Sequence, residues 1–405
     1  MNEVRTAIPK TRILFVIDEM ESITAGGTER QLLHLIKVCK AAGMRPYVAV
    51  LRGTKWLTAD LAGCPVQHFQ WASLFSISSV VRALEFLRYL QHRKFSIVHA
   101  LFPESNLIVP VLSRIAGVSV VVGHRRNLRS EFRTPMAPLI LLQRLSNLAV
   151  DAVVVNSEAV RKRVLALERV PSRKLHLVYN GIDLRAMQPS AQERSRFRRA
   201  LGLGPHHLLV GNLSGLRLVK GIDTFIDAAI HLRIHTSLMR FVVVGEGDQK
   251  DALLERIRSA GLEDVFTICD PAMDVRAPLS GMDIGVLSSR AEGFSNSLLE
   301  YMSFGLPIVA TDVGGNREAL GGAGLLIPPG DPSALASAIL SLRDPHLREA
   351  LGCEAKRTVG KFEMRCSDSR FVDIQLRLLQ RNRPADSTSP VAPTADPALE
   401  HASRP

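Results

Sequence analysis

The sequence is poor in the residues that staple, span or read. Its 405 residues include five cysteines, Cys39, Cys64, Cys269, Cys353 and Cys366, and no two of them form a C-x-x-C. That spacing excludes a zinc ribbon and a disulfide framework, and a reducing, cytoplasmic location is expected. No apolar run approaches the ~18 residues of a membrane-spanning helix. The opening M-N-E-V-R-T-A-I-P-K has no apolar core, so no secretory leader is expected. Aromatic residues make up 5%, and no nucleic-acid-reading motif occurs, so no nucleic-acid partner is expected. There is no D-x-D and no His/Cys/Asp cluster at metal-ligand spacing, so no metal is expected. G-x-S-x-G, G-x-x-x-x-G-K-[ST] and G-x-G-x-x-G are absent as well, which argues against a hydrolase elbow, a P-loop and a dinucleotide fingerprint.

What is present is a globular composition, 46% hydrophobic and 22% charged, in a chain long enough for two cores. The net charge of +12 is unevenly spread: residues 1–200 carry about +16 and residues 201–405 about −4. A basic half attracts phosphate ligands, anionic lipid head groups or nucleic acid; the plain alternative is a well-solvated surface.

Strand and helix patterns alternate along the first half. Arg12–Asp18, Tyr47–Leu51, Ser96–Leu101, Val118–Val122, Ala152–Asn156 and Leu175–Val178 read as strands. Thr28–Ala42, Val80–His92, Asn106–Ala116, Pro138–Leu148 and Ser157–Leu167 read as helices. Val81, Leu84, Leu87 and Leu90 form the expected buried face of the second helix. Residues 183–204 are polar and basic, and the domain junction is expected there. The alternation then restarts, with strands at Leu208–Leu213, Phe241–Gly245, Val265–Ile268, Ile284–Leu287 and Ile308–Thr311. Such alternation predicts an α/β protein of two doubly wound domains facing a cleft. The Pro-, Ala- and Ser-rich tail, residues 382–405, is expected to be disordered.

Four stretches carry candidate chemistry. In R-A-E-G-F-S-N-S-L-L-E (290–300), Glu292 and Glu300 stand eight apart. Two other glutamate pairs, Glu21/Glu29 and Glu255/Glu263, share that spacing, and roughly one is expected by chance, so the spacing means little. The context means more. A strand runs into a loop, Gly293 frees the backbone, and a helix starts near Ser295–Ser297, where unpaired amides favour a phosphate. Two carboxylates beside a phosphate site suit a nucleotide sugar; the competing reading is a capping box from Ser297 to Glu300. In L-S-G-L-R-L-V-K-G-I-D (213–223), Arg217 and Lys220 fall on a loop at the carboxyl edge of a sheet, placed to clamp a diphosphate or simply solvated. In A-G-G-T-E-R (25–30), Gly26 and Gly27 allow a backbone approach to a ligand or make a tight turn. In V-V-V-G-H-R-R-N-L-R (120–129), His124, Arg125, Arg126 and Arg129 follow a strand end, as His99 does elsewhere. They face the cleft or are structural.

At these residues the chain resembles the retaining glycosyltransferases of family four, which have the GT-B fold of two Rossmann-like domains. The resemblance covers roughly residues 12–380. It rests on E-G-F-S-N-S-L-L-E (292–300) and G-L-P-I-V-A-T-D-V-G-G-N-R-E (305–318). G-G-T-E-R-Q-L (26–32), N-S-E-A-V (156–160), V-Y-N-G-I-D (178–183), R-L-V-K-G-I-D (217–223) and V-V-V-G-E-G-D (242–248) also match. It departs at H-A-L (99–101), where many relatives have H-A-H, and at H-R-R-N (124–127), where others have R-H-N. The resemblance implies an acceptor-binding domain at 1–190, a nucleotide-sugar-binding domain at 191–360 and a terminal helix at 361–381 that crosses back to the first. It implies transfer of a sugar from a nucleoside diphosphate sugar to a glycan or lipid-linked acceptor, with no cofactor or metal. The alternative is a non-catalytic glycan-binding or partner subunit of the same fold. The implied catalytic residues are Glu292, Arg217, Lys220 and His124. Arg217 and Lys220 would also bind the donor, with Gly27, Gly293, Phe294, Ser295, Asn296, Ser297, Leu298 and Glu300. Gly26, His99, Arg125 and Arg126 would face the acceptor. The basic half makes peripheral docking on an anionic membrane surface a further expectation.

Overall fold

The computed structural model describes residues 11–19, 27–52, 61, 63–71, 77–126, 137–233, 238–271 and 274–382. Seven strands form the first sheet: β1 (Arg12–Ile17), β2 (Arg45–Val50), β3 (Val66–His68), β4 (Ile97–Ala100), β5 (Val120–Arg125), β6 (Ala152–Val155) and β7 (Leu175–Leu177). Their order is β3-β2-β1-β4-β5-β6-β7, and every pairing is parallel, with Ile13 opposite Pro46 on one side and Ile97 on the other. Runs such as I-L-F-V-I and A-V-V-V are apolar at every position because both faces of the sheet are covered. Ile13, Phe15 and Ile17 point into one core, and Leu14 and Val16 into the other.

The helices of this lobe are α1 (Gly27–Ala41), α2 (Ile77–Arg93), α3 (Pro103–Ile115), α4 (Ala137–Leu148) and α5 (Glu158–Arg163), the last continued by a wide turn over Val164–Glu168. Next come α6 (Ala191–Ala200), β8 (Leu208–Leu213), α7 (Ile222–Arg233), β9 (Met239–Val244), α8 (Lys250–Ser259), β10 (Phe266–Cys269), α9 (Arg276–Gly281) and β11 (Ile284–Leu287). The chain ends with α10 (Asn296–Ser303), β12 (Ile308–Thr311), α11 (Asn316–Leu320), β13 (Leu325–Ile327), α12 (Pro332–Ser341), α13 (Pro345–Thr358) and α14 (Met364–Arg381). The second sheet is also parallel, in the order β10-β9-β8-β11-β12-β13. Its winding reverses between β8 and β11, so the loops leaving those two strands flank a crevice, the place where open α/β sheets take ligands.

Two chain crossings join the lobes. Residues 178–190 lead out of the first, and residues 359–364 lead back. They lie side by side: the Ile182 amide donates to Phe362 O at 2.9 Å, and the Met364 amide to Ile182 O at 3.0 Å. Helix α14 then packs on the first lobe and buries Phe371, Ile374 and Leu378 in the core that holds Phe15 and Ile36. Each such side chain contributes about 1.5–3 kcal/mol of burial.

The doubly wound α/β architecture matches the sequence expectation; several details differ. The polar stretch 183–204 is not a bare junction, because it contains α6. Arg198 is buried there and donates to Gly281 O (3.1 Å), His207 O (2.6 Å) and Asp283 (2.9 Å). A basic run thus becomes a helix stitched to carbonyls of α9 and of the loop before β8. Strand β3 is only three residues long and has no apolar run to announce it. The expected face of α2 holds at Leu90, which is buried, but Val81 and Leu84 are exposed and Phe86 is buried instead. Of the expected tail, Asn382 donates to Ser119 O at 2.7 Å, and residues 383–405 lie outside the described residues. Among the described residues no helix is long and apolar enough to cross a membrane.

Candidate functional site

The two loops at the reversal of the second sheet are bound into one unit. After β8 the chain passes Ser214–Arg217, makes a tight helical turn at Leu218–Lys220 and enters α7 through Gly221. Gly221 has φ +62°, and a Cβ there would lie 2.2 Å from Ser288 O, so only glycine fits beside the neighbouring loop. The Arg290 amide donates to Val219 O at 2.7 Å, and the Ser288 hydroxyl donates to Lys220 O at 3.0 Å. Arg290 also pairs with Asp223 at the start of α7.

Within this unit Lys220 Nζ lies 2.6 Å from Glu292 Oε1, and both side chains are mostly buried. The Ser289 hydroxyl donates to the same oxygen at 2.6 Å. Arg217, three residues before Lys220, is exposed, and no acidic partner is seen for it among the described residues. The loop therefore presents one cation held by a carboxylate and one open to an incoming anion.

The same carboxylate loop leads into α10. Its N-cap, Ser295, makes no side-chain capping bond, so the first amides of the helix have no side-chain acceptor. The capping box expected from Ser297 to Glu300 does not form. The Ser297 hydroxyl instead donates to Leu213 O at 2.6 Å, which ties the helix start to the end of β8. Phe294, Ser295 and Leu298 are buried, so what they offer a ligand is backbone. Phe294 packs against Tyr179 and Phe362, with ring centroids 5.2 Å away in each case. Tyr301 is fully buried, accepts from the Leu213 amide at 2.6 Å and donates to Val286 O at 3.2 Å. Burial raises its hydroxyl pKa. Glu300 sits one residue before it, half-buried on the same helix.

Contacts from the first lobe reach this loop. Arg126, after β5, donates to Asn180 Oδ1 at 2.7 Å. Asn180 in turn donates to Phe294 O at 3.1 Å and Asn296 Oδ1 at 2.7 Å. Burial lowers the Arg126 pKa to about 10. Glu318 on α11 crosses the other way: its carboxylate accepts from the Glu158 amide at 2.9 Å, at the start of α5, and from the Tyr179 hydroxyl. Neither Asn180 nor Glu318 was singled out from sequence. The available signal was that both lie in segments that carry the resemblance, V-Y-N-G-I-D (178–183) and the end of G-L-P-I-V-A-T-D-V-G-G-N-R-E (305–318).

Three residues assigned to the cleft sit elsewhere. His99 and His124 are buried, with His99 Nδ1 3.0 Å from His124 Nε2. His99 stacks on Phe15, and both rings lie against Phe371 of α14. Burial pushes the His99 pKa down to about 3 and the His124 pKa well below its ordinary value. Both are neutral core groups beneath the returning helix. Arg125 is a cross-brace: it meets Glu168 at 2.8 Å and Asn147 at 3.0 Å, and also bonds Asn106. Gly27 is the first residue of α1; Gly26 and Arg129 lie outside the described residues.

Comparison with known proteins places both lobes. A model described as Glycosyltransferase Family 4 matches residues 25–186, and one described as Glycosyl transferases group 1 matches residues 204–344. The chain is 31% identical over 223 residues to the lipopolysaccharide core biosynthesis mannosyltransferase LpsB of Rhizobium meliloti, covering 52% of this chain and 61% of that protein. It is 28% identical over 256 residues to the D-inositol 3-phosphate glycosyltransferase of Kineococcus radiotolerans, covering 57% and 58%. The chain thus spans about six tenths of the length of these relatives. Among solved structures, Anabaena HepE in complex with UDP-glucose superposes with a TM-score of 0.77 at 21% identity, covering 90% of this chain and 99% of that one. The sucrose-phosphate synthase of Thermosynechococcus elongatus superposes with a TM-score of 0.78 at 20% identity, covering 92% and 100%. The fold is GT-B.

Proposed function

We propose that the chain, whose first lobe matches the Glycosyltransferase Family 4 model and whose second matches the Glycosyl transferases group 1 model, transfers a sugar, with retention, from a nucleoside diphosphate sugar to a glycan or lipid-linked acceptor. The observation that carries this is the pairing of Lys220 with Glu292 on the two loops at the sheet reversal. The side-chain-uncapped start of α10 follows four residues later.

In this reading the donor diphosphate meets Arg217, Lys220 and the first amides of α10. Fixed cations and amides stabilise charge that grows as the bond between the anomeric carbon and the diphosphate oxygen breaks, and they do so without reorganising. The acceptor hydroxyl attacks that carbon from the face the leaving group departs. Its proton passes to the departing phosphate oxygen, so the nucleoside diphosphate leaves as the new glycosidic bond forms. Lys220 turning towards phosphate frees Glu292 to accept from a sugar hydroxyl, and Glu300 is placed to hold the ribose. No disulfide joins any of the five cysteines, which supports a reducing, cytoplasmic setting.

The test is nucleotide release and calorimetric binding with a panel of UDP-, GDP- and ADP-sugars. UDP-sugars come first because HepE was solved with UDP-glucose. Binding with release on adding an acceptor supports the proposal. Absence of binding to the whole panel overturns it, and binding without turnover favours the glycan-binding alternative.

A further inference from the structure

The first lobe exposes an apolar face that its own core does not explain. Of twelve large exposed hydrophobic residues in the described part of the chain, eight lie on α2, α3 and α4. The densest stripe is on α4, where Leu141, Leu145 and Leu148 follow one another at helical spacing and are 57%, 54% and 77% exposed. On α3, which packs beside it, Ile115 is 61% exposed. The Arg114 guanidinium donates to Ala149 O at 2.8 Å, so Ile115 and Leu148 share one corner.

That corner is cationic. Lys174 donates to Val150 O at 2.6 Å. Burial lowers its pKa most; Asp151 raises it and Arg114, Arg173 and Arg381 lower it, so all four lie within electrostatic range of it. Asp151 itself is paired with Arg114 at 2.5 Å. Arg169, beyond the wide turn, and Arg173 are exposed, with no acidic partner seen among the described residues. Glu168, just before Arg169, is taken by Arg125.

We propose that the leucine stripe of α4, with Ile115 and the rim of Arg169, Arg173, Lys174 and Arg381, docks the protein on an anionic lipid surface. Leucines enter the acyl boundary while arginines and lysines meet headgroup phosphates, the arrangement of an interfacial helix. A second copy fits less well. A two-fold contact would set this rim against itself, leaving like charges opposed. The corner lies at the ends of α3 and α4 that precede β5 and β6, on the edge of the sheet away from the second lobe. Docking leaves the Lys220–Glu292 loops open, so this surface is independent of the donor site.

Co-sedimentation of the full chain with phosphatidylcholine vesicles, with and without phosphatidylglycerol, tests it. The protein should bind phosphatidylglycerol vesicles at least about tenfold better, and added salt should release it. Leu145→Asp with Leu148→Asp should abolish binding. Arg173→Gln with Arg381→Gln should weaken it by about fivefold per charge. All variants should keep the wild-type melting temperature and nucleotide-sugar affinity, which separates a failure here from a failure of the donor reading. Equal binding to both vesicle types, no binding to either, or full binding by the leucine variant overturns the proposal. So does a wild-type dimer in sedimentation velocity that Leu148→Asp dissociates, which would assign the face to a second copy.

Discussion

Each lobe places a basic residue at or beyond the carboxyl end of a strand and answers it with a glutamate, but the two pairs differ in their surroundings. In the second lobe Lys220 and Glu292 belong to separate loops at a sheet reversal, with exposed Arg217 three residues away. In the first, Arg125 leaves β5 and is fixed from three sides by Glu168, Asn147 and Asn106. A cation with a single carboxylate partner is exchangeable, because an incoming phosphate replaces that partner at little cost. One with a saturated donor fork is structural. Both are cations answered by a glutamate; the number of competing partners separates a site from a brace.

Swapping the two losses sharpens this contrast most. Lys220→Ala should cost about 10²–10³-fold in kcat, the scale for one preorganised electrostatic group, and because it strands the mostly buried Glu292 it should also lower stability by about 3 kcal/mol. Arg125→Ala strands Glu168 and should cost a similar amount of stability, with kcat and donor affinity retained. Urea unfolding and isothermal calorimetry on both variants decide it. Retained activity in Lys220→Ala removes the site assignment.

The buried histidines give the first lobe a pH dependence that the second lobe does not share through such a pair. His99 is neutral in the fold, with its pKa lowered to about 3, whereas an unfolded histidine titrates near 6.5. Between those values the unfolded chain binds the extra proton. Stability is therefore full above about pH 6.5 and falls as pH drops towards 3. At pH 5 the loss from His99 is about 2 kcal/mol, and His124 adds to it in the same direction. Unfolding of the first lobe followed from pH 7 to pH 5 should show this slope, and His99→Asn should flatten it.

What could be read from sequence follows from how far apart the cooperating residues lie. Strands of continuous apolar residues, and loops such as R-L-V-K-G-I-D, are local patterns and were legible. The burial of His99 and His124 was not, because the ring that covers them, Phe371, comes from the far end of the chain. The partial shift of the α2 face has a similar origin: Phe86 joins Leu90 in packing with β1 residues such as Leu14, while Val81 and Leu84 stay outside. Periodicity finds an apolar stripe but does not say which of two stripes the sheet takes. Helix α6 was hidden because its arginines are satisfied by distant carbonyls at Gly281 and His207.

The smallest effect concerns the junction where the lobes meet. Glu318 accepts from the Glu158 amide at 2.9 Å and 3.2 Å and from the Tyr179 hydroxyl, so a carboxylate of the second lobe caps a helix of the first. Burial and the Glu318 charge both raise the Tyr179 pKa, so the phenol stays protonated and remains a donor through the neutral range. Glu318→Ala removes the acceptor and leaves the helix amide to water, a loss of about 1 kcal/mol. Hydrogen exchange at the Glu158 amide should then quicken by about fivefold, while amides in the middle of β1 keep their wild-type rates. If lobe closure brings donor and acceptor together, the same variant should raise the donor KM more than it lowers kcat, because the cation and carboxylate loops are untouched and only the approach of the first lobe is loosened. An unchanged exchange rate at Glu158 would mean that the lobes hold their relative position through the Asn180 and Ile182 contacts alone.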